Sequence, residues 1–474
     1  MIHSIDSRIA KEFFGRHTDA PSLSESDLYP LLMHRDPDSC VGWSQGRLYT
    51  AFDFLRSVHA LASRLPAKRY AINLCKNRYR FAVGFAAALV ARQISLLPTC
   101  QAAEPLQQLS QRYPDAYVLT DQEDVEIPLP RCHIPEHVLD IPGSVENPSI
   151  PADRIAAIVF TSGSSGLPRA HAKSWGSLVK GARVLGRQFD LSTSPARIAV
   201  GTVPAQHMYG LETTIMLPLQ WSWCIHAGNP VLPADIRTDL ERLTSPAWLM
   251  TTPVHLKAYA GEHMALPGLE GIISATMPLA RSLARDAERL WQVPVHEIYG
   301  CTEGGMLASR RTTDGDLWRL CHGLRMWQDG DNTWVAGGHV GGCVQLTDRI
   351  RLHNRREFFL LGPSFDLVKV AGKRASLAAL NAALSRVDGV LDGTFYWPDQ
   401  GRTGHGRLSA FVVAPGVTRA AILTDLRKRI DPVFLPRPLY LVPSLPRNAT
   451  GKLPHDHLET FAGNVMHPDR SPRG

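Results

Sequence analysis

The sequence predicts an α/β protein in which a large N-terminal multi-sheet domain, residues 1–365, precedes a small α+β C-terminal domain, residues 366–462. Three observations predict it. Helix-spaced and strand-like apolar patterns alternate through residues 52–97, several later apolar runs each end in a polar loop, and beyond about residue 365 the rhythm changes to short helices and isolated strands.

Taken in order, Phe52 to Leu65 carries apolar residues at helical spacing, Tyr70 to Leu74 reads as a short strand, Phe81 to Ala91 as a buried helix and Ile94 to Leu97 as a strand. Residues 101–151 hold several prolines and acids and read as a less regular connection, with Tyr117-Val118-Leu119 as a candidate strand. The uninterrupted run Ile155 to Phe160 has the character of a strand buried on both faces. Ser174 to Phe189 is then a helix. Strand-to-loop patterns follow at Ile198 to Val200, Trp248 to Met250, Ile272 to Ser274 and Val295 to Tyr299. Ligands of open α/β sheets sit at the carboxyl ends of strands, so these loops are expected to converge on one crevice. In the C-terminal unit Leu377, Leu380, Leu384 and Val387 mark one helix face, Leu408 to Val413 a strand, and Ala421 to Ile430 a helix capped by Thr418. From Gly463 to the end the chain is polar and proline-bearing, and a frayed tail is expected.

Composition sets the outer limits. With 474 residues, 44% hydrophobic and 20% charged, the chain describes a globular protein of two or more domains. The net charge of +7 favours anionic partners, but the basic residues are scattered and form no nucleic-acid module. Eight cysteines lie far apart without a C-x-x-C pair, so free thiols in a reducing cytoplasm are expected. The N-terminus has no apolar signal core, and the run Phe81 to Ala91, bracketed by Arg80 and Arg92, is too short to span a bilayer.

The run from Thr161 through Ser162, Gly163, Ser164, Ser165 and Gly166 leaves the end of the buried strand. Glycine permits unusual backbone angles, and clustered N–H and O–H donors suit a poly-anion such as phosphate. On composition alone a flexible surface connection explains the run equally well. Three further segments decide between the two.

Thr161 to Arg169 (TSGSSGLPR), Tyr299 to Glu303 (YGCTE), Leu361 to Arg374 (LGPSFDLVKVAGKR) and Leu445 to Lys452 (LPRNATGK) together resemble, in order and spacing, the adenylate-forming superfamily of acyl-CoA synthetases, peptide adenylation domains and luciferases. The resemblance implies a mobile C-terminal domain, ATP and Mg2+ as cofactors, and a loop at 161–166 that holds the ATP phosphates. It also implies a two-step reaction, in which a carboxylate displaces pyrophosphate from ATP and a thiol then displaces AMP. Two anions meet in the first step, so positive charge at the site is the main requirement.

The resemblance assigns Lys452 as the adenylation lysine, Glu303 as the Mg2+ carboxylate, Thr302 as a hydroxyl beside the α-phosphate, and Tyr299, after which Gly300 follows, as the adenine-stacking ring. Asp348 falls where the family binds the ribose hydroxyls, and Ser274-Ala275-Thr276 where it has a glycine-rich adenine loop; the glycine is missing here. His207 resembles a residue gating the acid pocket, with Met208, Tyr209, Gly210, Met306 and Leu307 shaping it. Arg169 replaces the usual phosphate-loop lysine, and Lys173, four residues on, is a candidate to supply an ammonium to the β/γ-phosphates. At the hinge, either the register slips and Asp366 takes the family aspartate's role, or Phe365 occupies that place and one ribose contact is lost.

Within the superfamily, the short chain and the segment Pro168 to Trp175 look most like compact ligases of aryl polyene and xanthomonadin-type pigment pathways. This implies a small hydroxybenzoate-like acid as substrate and an acyl carrier protein as acceptor, steered by Arg427, Lys428, Arg429 and Arg437. Coenzyme A could use the same charge, so an acyl- or aryl-CoA synthetase is the alternative. A nucleotide- or carrier-binding regulator without turnover is a third reading. A soluble, cytoplasmic enzyme is expected.

Overall fold

A computed structural model describes residues 27–466 apart from 99–102, 124–128, 136–144, 162–168, 192–195, 331, 364–366, 371–372, 399–407 and 449–450. The hinge candidates Phe365 and Asp366 and the loop residues Ser162, Gly163, Ser164, Ser165 and Gly166 therefore lie outside the described residues.

Two large sheets form the N-terminal part. The first runs in the order Arg169–Ser174, Ile155–Thr161, Ile94–Leu97, Tyr70–Asn73, Ala116–Thr120, Arg131–His133. Its members are parallel except for the antiparallel edge pair of Ile155–Thr161 with Arg169–Ser174. The phosphate-loop candidate thus links two paired antiparallel strands, and the second of them is not among the strands expected from the sequence. That strand is polar, Arg-Ala-His-Ala-Lys-Ser, because it lies at a sheet edge where alternation rather than continuous apolarity is required.

The second sheet is built around six parallel strands, Cys40–Ser44, Cys224–His226, Ile198–Gly201, Ala247–Thr251, Leu269–Ser274 and Val295–Cys301. Antiparallel strands Gly305–Arg311, Leu317–Leu320, Glu357–Pro363 and Asp348–Leu352 extend it on one side. A separate three-stranded meander, Leu324–Asp329, Asn332–Gly337 and Val340–Leu346, packs beside it.

The helices between the sheets obey their local chemistry. Helix Ala51–Ala62 begins with a reciprocal capping box, in which the Asp53 amide donates to Thr50 Oγ1 at 3.1 Å and the Thr50 amide to Asp53 Oδ2 at 3.0 Å. Helix Arg78–Val90 is buried almost all round, which explains its lack of an amphipathic pattern. Helix Ala103–Arg112 falls in the stretch expected to be irregular; Leu106 and Leu109 face the core while glutamines and Arg112 cover the outside.

The C-terminal unit has its own core. Leu380, Leu384 and Val387 pack with Phe395, Ala410, Val412, Ile422 and Leu426 around a sheet of Asp392–Tyr396, Ser409–Val413 and Leu439–Leu441. Thr418 caps helix Arg419–Leu426, accepting from the Ala421 amide at 3.3 Å. The last helix, His455–Met466, carries past Gly463, where fraying was expected, because Leu458, Phe461, Ala462 and Val465 dock on Phe411 and Tyr440.

One expectation about cysteine is corrected. Cys40 and Cys224 form a disulfide, 184 residues apart in sequence with Cα atoms 5.4 Å apart. Each opens one of two neighbouring parallel strands, paired at Ile225 with Gly42, so sheet topology brings together thiols that sequence spacing separates. Cys75, Cys132, Cys301, Cys321 and Cys343 are free. Among the described residues no helix is long and apolar enough to cross a membrane.

Candidate functional site

The cleft lies at the carboxyl ends of the parallel strands, where the C-terminal unit folds over them. Lys257, on helix Pro253–Gly261, donates to the carbonyls of Val390 at 3.1 Å and Leu391 at 2.9 Å. Gly451 packs against Thr252, Val254 and Met277 with a φ of +77°, a conformation that favours glycine. These contacts hold the loop bearing Lys452 at the mouth of the cleft.

That loop is internally pinned. Asn448 Oδ1 accepts from the Lys452 amide at 2.9 Å, the Asn448 amide donates to the Lys452 carbonyl at 2.8 Å, and the Gly451 amide to the Asn448 carbonyl at 2.9 Å. Arg447 grips it from below through a bidentate pair with Asp392, both bonds 2.7 Å, while its third nitrogen donates to the Gly451 carbonyl at 3.0 Å. Lys452 is exposed as a residue, yet protein crowds its amine and lowers its pKa, against the opposing pull of Asp348, Cys301 and Glu303. The charge of the same amine acts on His207.

The acidic side of the cleft is the turn after strand Val295–Cys301. Thr302 is half-buried and Glu303 exposed. The Glu303 carboxylate lies 3.6 Å from His171 Nε2, which also meets Thr161 Oγ1 at 3.1 Å. Burial, together with Arg169 and Lys173, lowers the His171 pKa, and Glu303 opposes the shift. His171 was absent from the sequence-derived set; it joins the base of the phosphate-loop hairpin to the metal-ligand candidate. Among the described residues no group of three or more His, Cys, Asp or Glu forms a metal cage. One open carboxylate with a neighbouring hydroxyl fits Mg2+ held jointly with nucleotide phosphates, the usual arrangement for this ion.

Tyr299 and Asp348 meet directly, with the Tyr299 hydroxyl donating to Asp348 Oδ2 at 2.7 Å. Burial, reinforced by Asp348, raises the phenol's pKa, so it remains a donor. Its ring stands edge-on to Trp318 and Phe358. Gly300 is exposed, and its backbone runs against Gly305, leaving no room for a side chain there. Nearby, Ser274 and Ala275 are buried, and Thr276 adopts a φ of +79°. A β-branched residue rarely takes that angle. The backbone form usually supplied by glycine is therefore present although the glycine is not. Glu297, beneath this loop, accepts from the Leu279 amide at 2.9 Å and pairs with Arg310 at 2.7 Å, fixing the loop's exit.

The candidate acid-pocket residues divide. His207 caps the short helix Met208–Gly210, and burial, with Lys452 adding to it, pushes its imidazole down to about 3, so it is neutral at physiological pH. Met208 is buried, with its terminal methyl close to Gly305. Tyr209 is an anchor: its hydroxyl donates to the Ile273 carbonyl at 2.7 Å and the Thr251 carbonyl at 3.2 Å, tying the pocket helix to two strand ends. Gly210 presses on the Pro204 carbonyl, where a larger residue has no room. Met306 and Leu307 sit in the hydrophobic core of the second sheet. Arg78, also absent from the sequence-derived set, is buried and donates to Val203 O at 2.7 Å, Gly201 O at 3.2 Å and Asn229 Oδ1 at 3.2 Å, clamping two strand-end loops.

The remaining two basic candidates differ in placement. Arg169 is exposed at the start of the hairpin's second strand. Lys173 is turned inward, only 6% exposed, with Nζ on the Glu303 carbonyl at 2.5 Å.

Comparison with known proteins bears on the family and the fold. The profile of the AMP-binding enzyme family matches residues 60–341. The 4-coumarate–CoA ligase of Rhodobacter capsulatus is 27% identical over 276 residues, covering 58% of this chain and 67% of that protein. The 4-coumarate–CoA ligase of Halorhodospira halophila is 27% identical over 304 residues, covering 62% and 73% respectively. Among solved structures, the O-succinylbenzoate coenzyme A synthetase of Bacillus subtilis in complex with ATP and magnesium ion superposes with a TM-score of 0.76 at 17% identity, over 91% of this chain and 100% of that one. ATP-bound MatB of Rhodopseudomonas palustris gives 0.75 at 17%, over 91% and 97%. With a family match across more than half its length and the same two-part α/β fold, the chain belongs to the AMP-binding enzyme family.

Proposed function

We propose that this protein is an ATP-dependent carboxylate–thiol ligase, which adenylates a small hydroxybenzoate-like acid and passes the acyl group to the phosphopantetheine thiol of an acyl carrier protein. The observation that carries the first half is Lys452, presented by the C-terminal unit within electrostatic range of Asp348, Glu303, Cys301 and a neutral His207. A carboxylate approaching a triphosphate meets strong repulsion, and a preorganised cation at the meeting point lowers that barrier. His207, being neutral, contributes shape and hydrogen bonding and leaves the compensating charge to Lys452. Asp348, joined to Tyr299, is suited to hold ribose hydroxyls. Mg2+, held by Glu303 together with the phosphates, would supply charge neutralisation of the departing pyrophosphate. Arg169, exposed at the base of the loop, is placed to meet the phosphates.

The acceptor is supported by charge. Arg427, Lys428, Arg429 and Arg437 are exposed on the C-terminal unit. Lys428 and Arg429 share Asp425, at 4.0 and 2.8 Å, so the field reaching an acidic carrier comes mainly from Arg427 and Arg437. A second reading, an aryl-CoA synthetase, is favoured by the names of the 4-coumarate–CoA ligases to which the chain is similar. Incubation with ATP, Mg2+ and a panel of benzoate-type acids, followed by mass spectrometry of a phosphopantetheinylated carrier and of coenzyme A, separates the two. Acyl-carrier as the dominant product supports the proposal, and acyl-CoA alone selects the synthetase. No ATP–pyrophosphate exchange with any acid would defeat both and leave a binding protein.

A further inference from the structure

We propose that Lys173, Glu212 and His339 form a buried cradle that sets the position of the Thr302–Glu303 turn, so that Lys173 acts on the nucleotide through this turn and not by touching phosphate. The inference rests on the cleft being the nucleotide site. It starts from three side chains on three different elements that each take one backbone group of the same short span. Lys173, on strand Arg169–Ser174, donates to the Glu303 carbonyl at 2.5 Å. Glu212, on the π-helical turn Leu211–Met216, accepts from the Met306 amide at 3.2 Å. His339, in the turn between the second and third strands of the meander, donates through Nε2 to the Met306 carbonyl at 2.7 Å.

Each is nearly inaccessible: Lys173 is 6%, Glu212 4% and His339 5% exposed. An ammonium and a carboxylate removed from water to this degree are tolerated only when they compensate one another and spend their remaining capacity on hydrogen bonds. Lys173 and Glu212 do compensate: each pulls the other toward its charged form against the desolvation that opposes it. His339 closes the group, lying together with Glu212 Oε1 over Gly181, where a Cβ would meet both at 3.6 Å. Gly305 completes the fit. It has a φ of +73°, and the place of its missing Cβ is filled by Glu212 Oε1. The span 303–306 is thus held from three directions, and the catalytic pair Thr302 and Glu303 sits at its upstream end. Lys173, committed to this interior contact, acts as a positioning residue.

The test uses Lys173→Met and the charge-free double variant Lys173→Met/Glu212→Gln, in which glutamine can still accept from Met306. Hydrogen–deuterium exchange of the free enzyme is read across residues 303–307. The cradle predicts exchange at least tenfold faster there in Lys173→Met, with partial restoration in the double variant, since no carboxylate is then left buried and unpaired. Calorimetric ATP titration in EDTA should differ from wild type by less than about twofold, while the Mg2+-dependent gain in ATP affinity falls about tenfold, because only the metal ligand has moved. Unchanged exchange at 303–307, or a tenfold loss of ATP affinity in EDTA, overturns the cradle. If the wild-type protein itself binds no ATP, the nucleotide-site reading fails, and the exchange measurement still decides whether the turn is held as described.

Discussion

Arg447 offers the sharpest test of how Lys452 is placed. Changing Arg447 to Leu deletes two 2.7 Å bonds to Asp392 and the 3.0 Å bond to the Gly451 carbonyl. Hydrogen bonds to charged groups contribute roughly 1.5–3 kcal/mol each when buried. Here the Arg447 and Asp392 side chains are 16% and 32% exposed, so screening reduces the whole set to about 2 kcal/mol. At about 1.4 kcal/mol per decade this corresponds to a loss of roughly thirtyfold in correctly placed loop. ATP–pyrophosphate exchange should fall by about that factor. Thioester formation from supplied acyl-adenylate, which does not need the adenylation lysine, should change by less than about threefold. Arg447→Lys keeps the charge but not the planar fork and should recover only part of the loss. Exchange within about threefold of wild type in Arg447→Leu would refute the reasoning, because the loop would then find its place without the pair.

Three further outcomes are expected. Lys452→Ala should reduce adenylate formation by at least about a hundredfold while thioester formation from supplied acyl-adenylate persists; equal loss in both halves would remove the lysine from its assigned step. Thr276→Gly should raise the urea midpoint by an amount equivalent to about 1 kcal/mol, as relief of a positive-φ strain of roughly 1–3 kcal/mol outweighs the entropy cost of glycine; a lowered midpoint would mean that Thr276 is held without strain. Burial depresses His34 and His339 to about 4, below the ordinary 6.5, so the unfolded chain binds more protons between those values. Stability should therefore fall as pH drops from 6.5 toward 4, by on the order of 3 kcal/mol for each histidine, and a flat thermal midpoint across that window would contradict it. Glu212, raised to about 7 by burial, works in the opposite sense, losing stability as pH rises from 4.5 toward 7.

Much of the fold was legible because the parallel strands are short and buried on both faces, which leaves uninterrupted apolar runs such as Ile155 to Phe160 and Trp248 to Met250. The helix face of Leu380 and Leu384 and the Thr418 cap carried the C-terminal unit in the same way, while Val387 joins the same core from beyond the end of helix Leu377–Leu384. Less was legible where pairing is non-local or half-exposed. The edge strand Arg169–Ser174 is polar, and the meander around Leu324–Leu346 is broken by glycines at positive φ, such as Gly337 and Gly342, whose turns dominate the pattern. The disulfide between Cys40 and Cys224 depends on two strands becoming neighbours only through the crossover order of the sheet.

The site divided along a different line. The residues we propose to meet ligand, Tyr299, Glu303, Asp348 and Lys452, sit in short motifs whose spacing reflects local backbone geometry, and it was that spacing that singled them out. The residues packed around them carry no motif of their own: Glu212 and His339 take the Met306 backbone, His171 faces the Glu303 carboxylate, and Arg78 clamps the loops at Val203 and Asn229. Only one of them leaves a trace in the sequence. Glu212 interrupts the otherwise uncharged run from Met208 to Leu219, and a charge placed there must find a partner inside the protein or prevent the helix from docking. Lys173 supplies the opposing charge, so a lysine first read by its proximity to a phosphate loop is held by the Glu303 carbonyl and balanced by a carboxylate thirty-nine positions further along the chain. A buried charge is therefore better interpreted by asking what neutralises it than by asking which motif lies nearest.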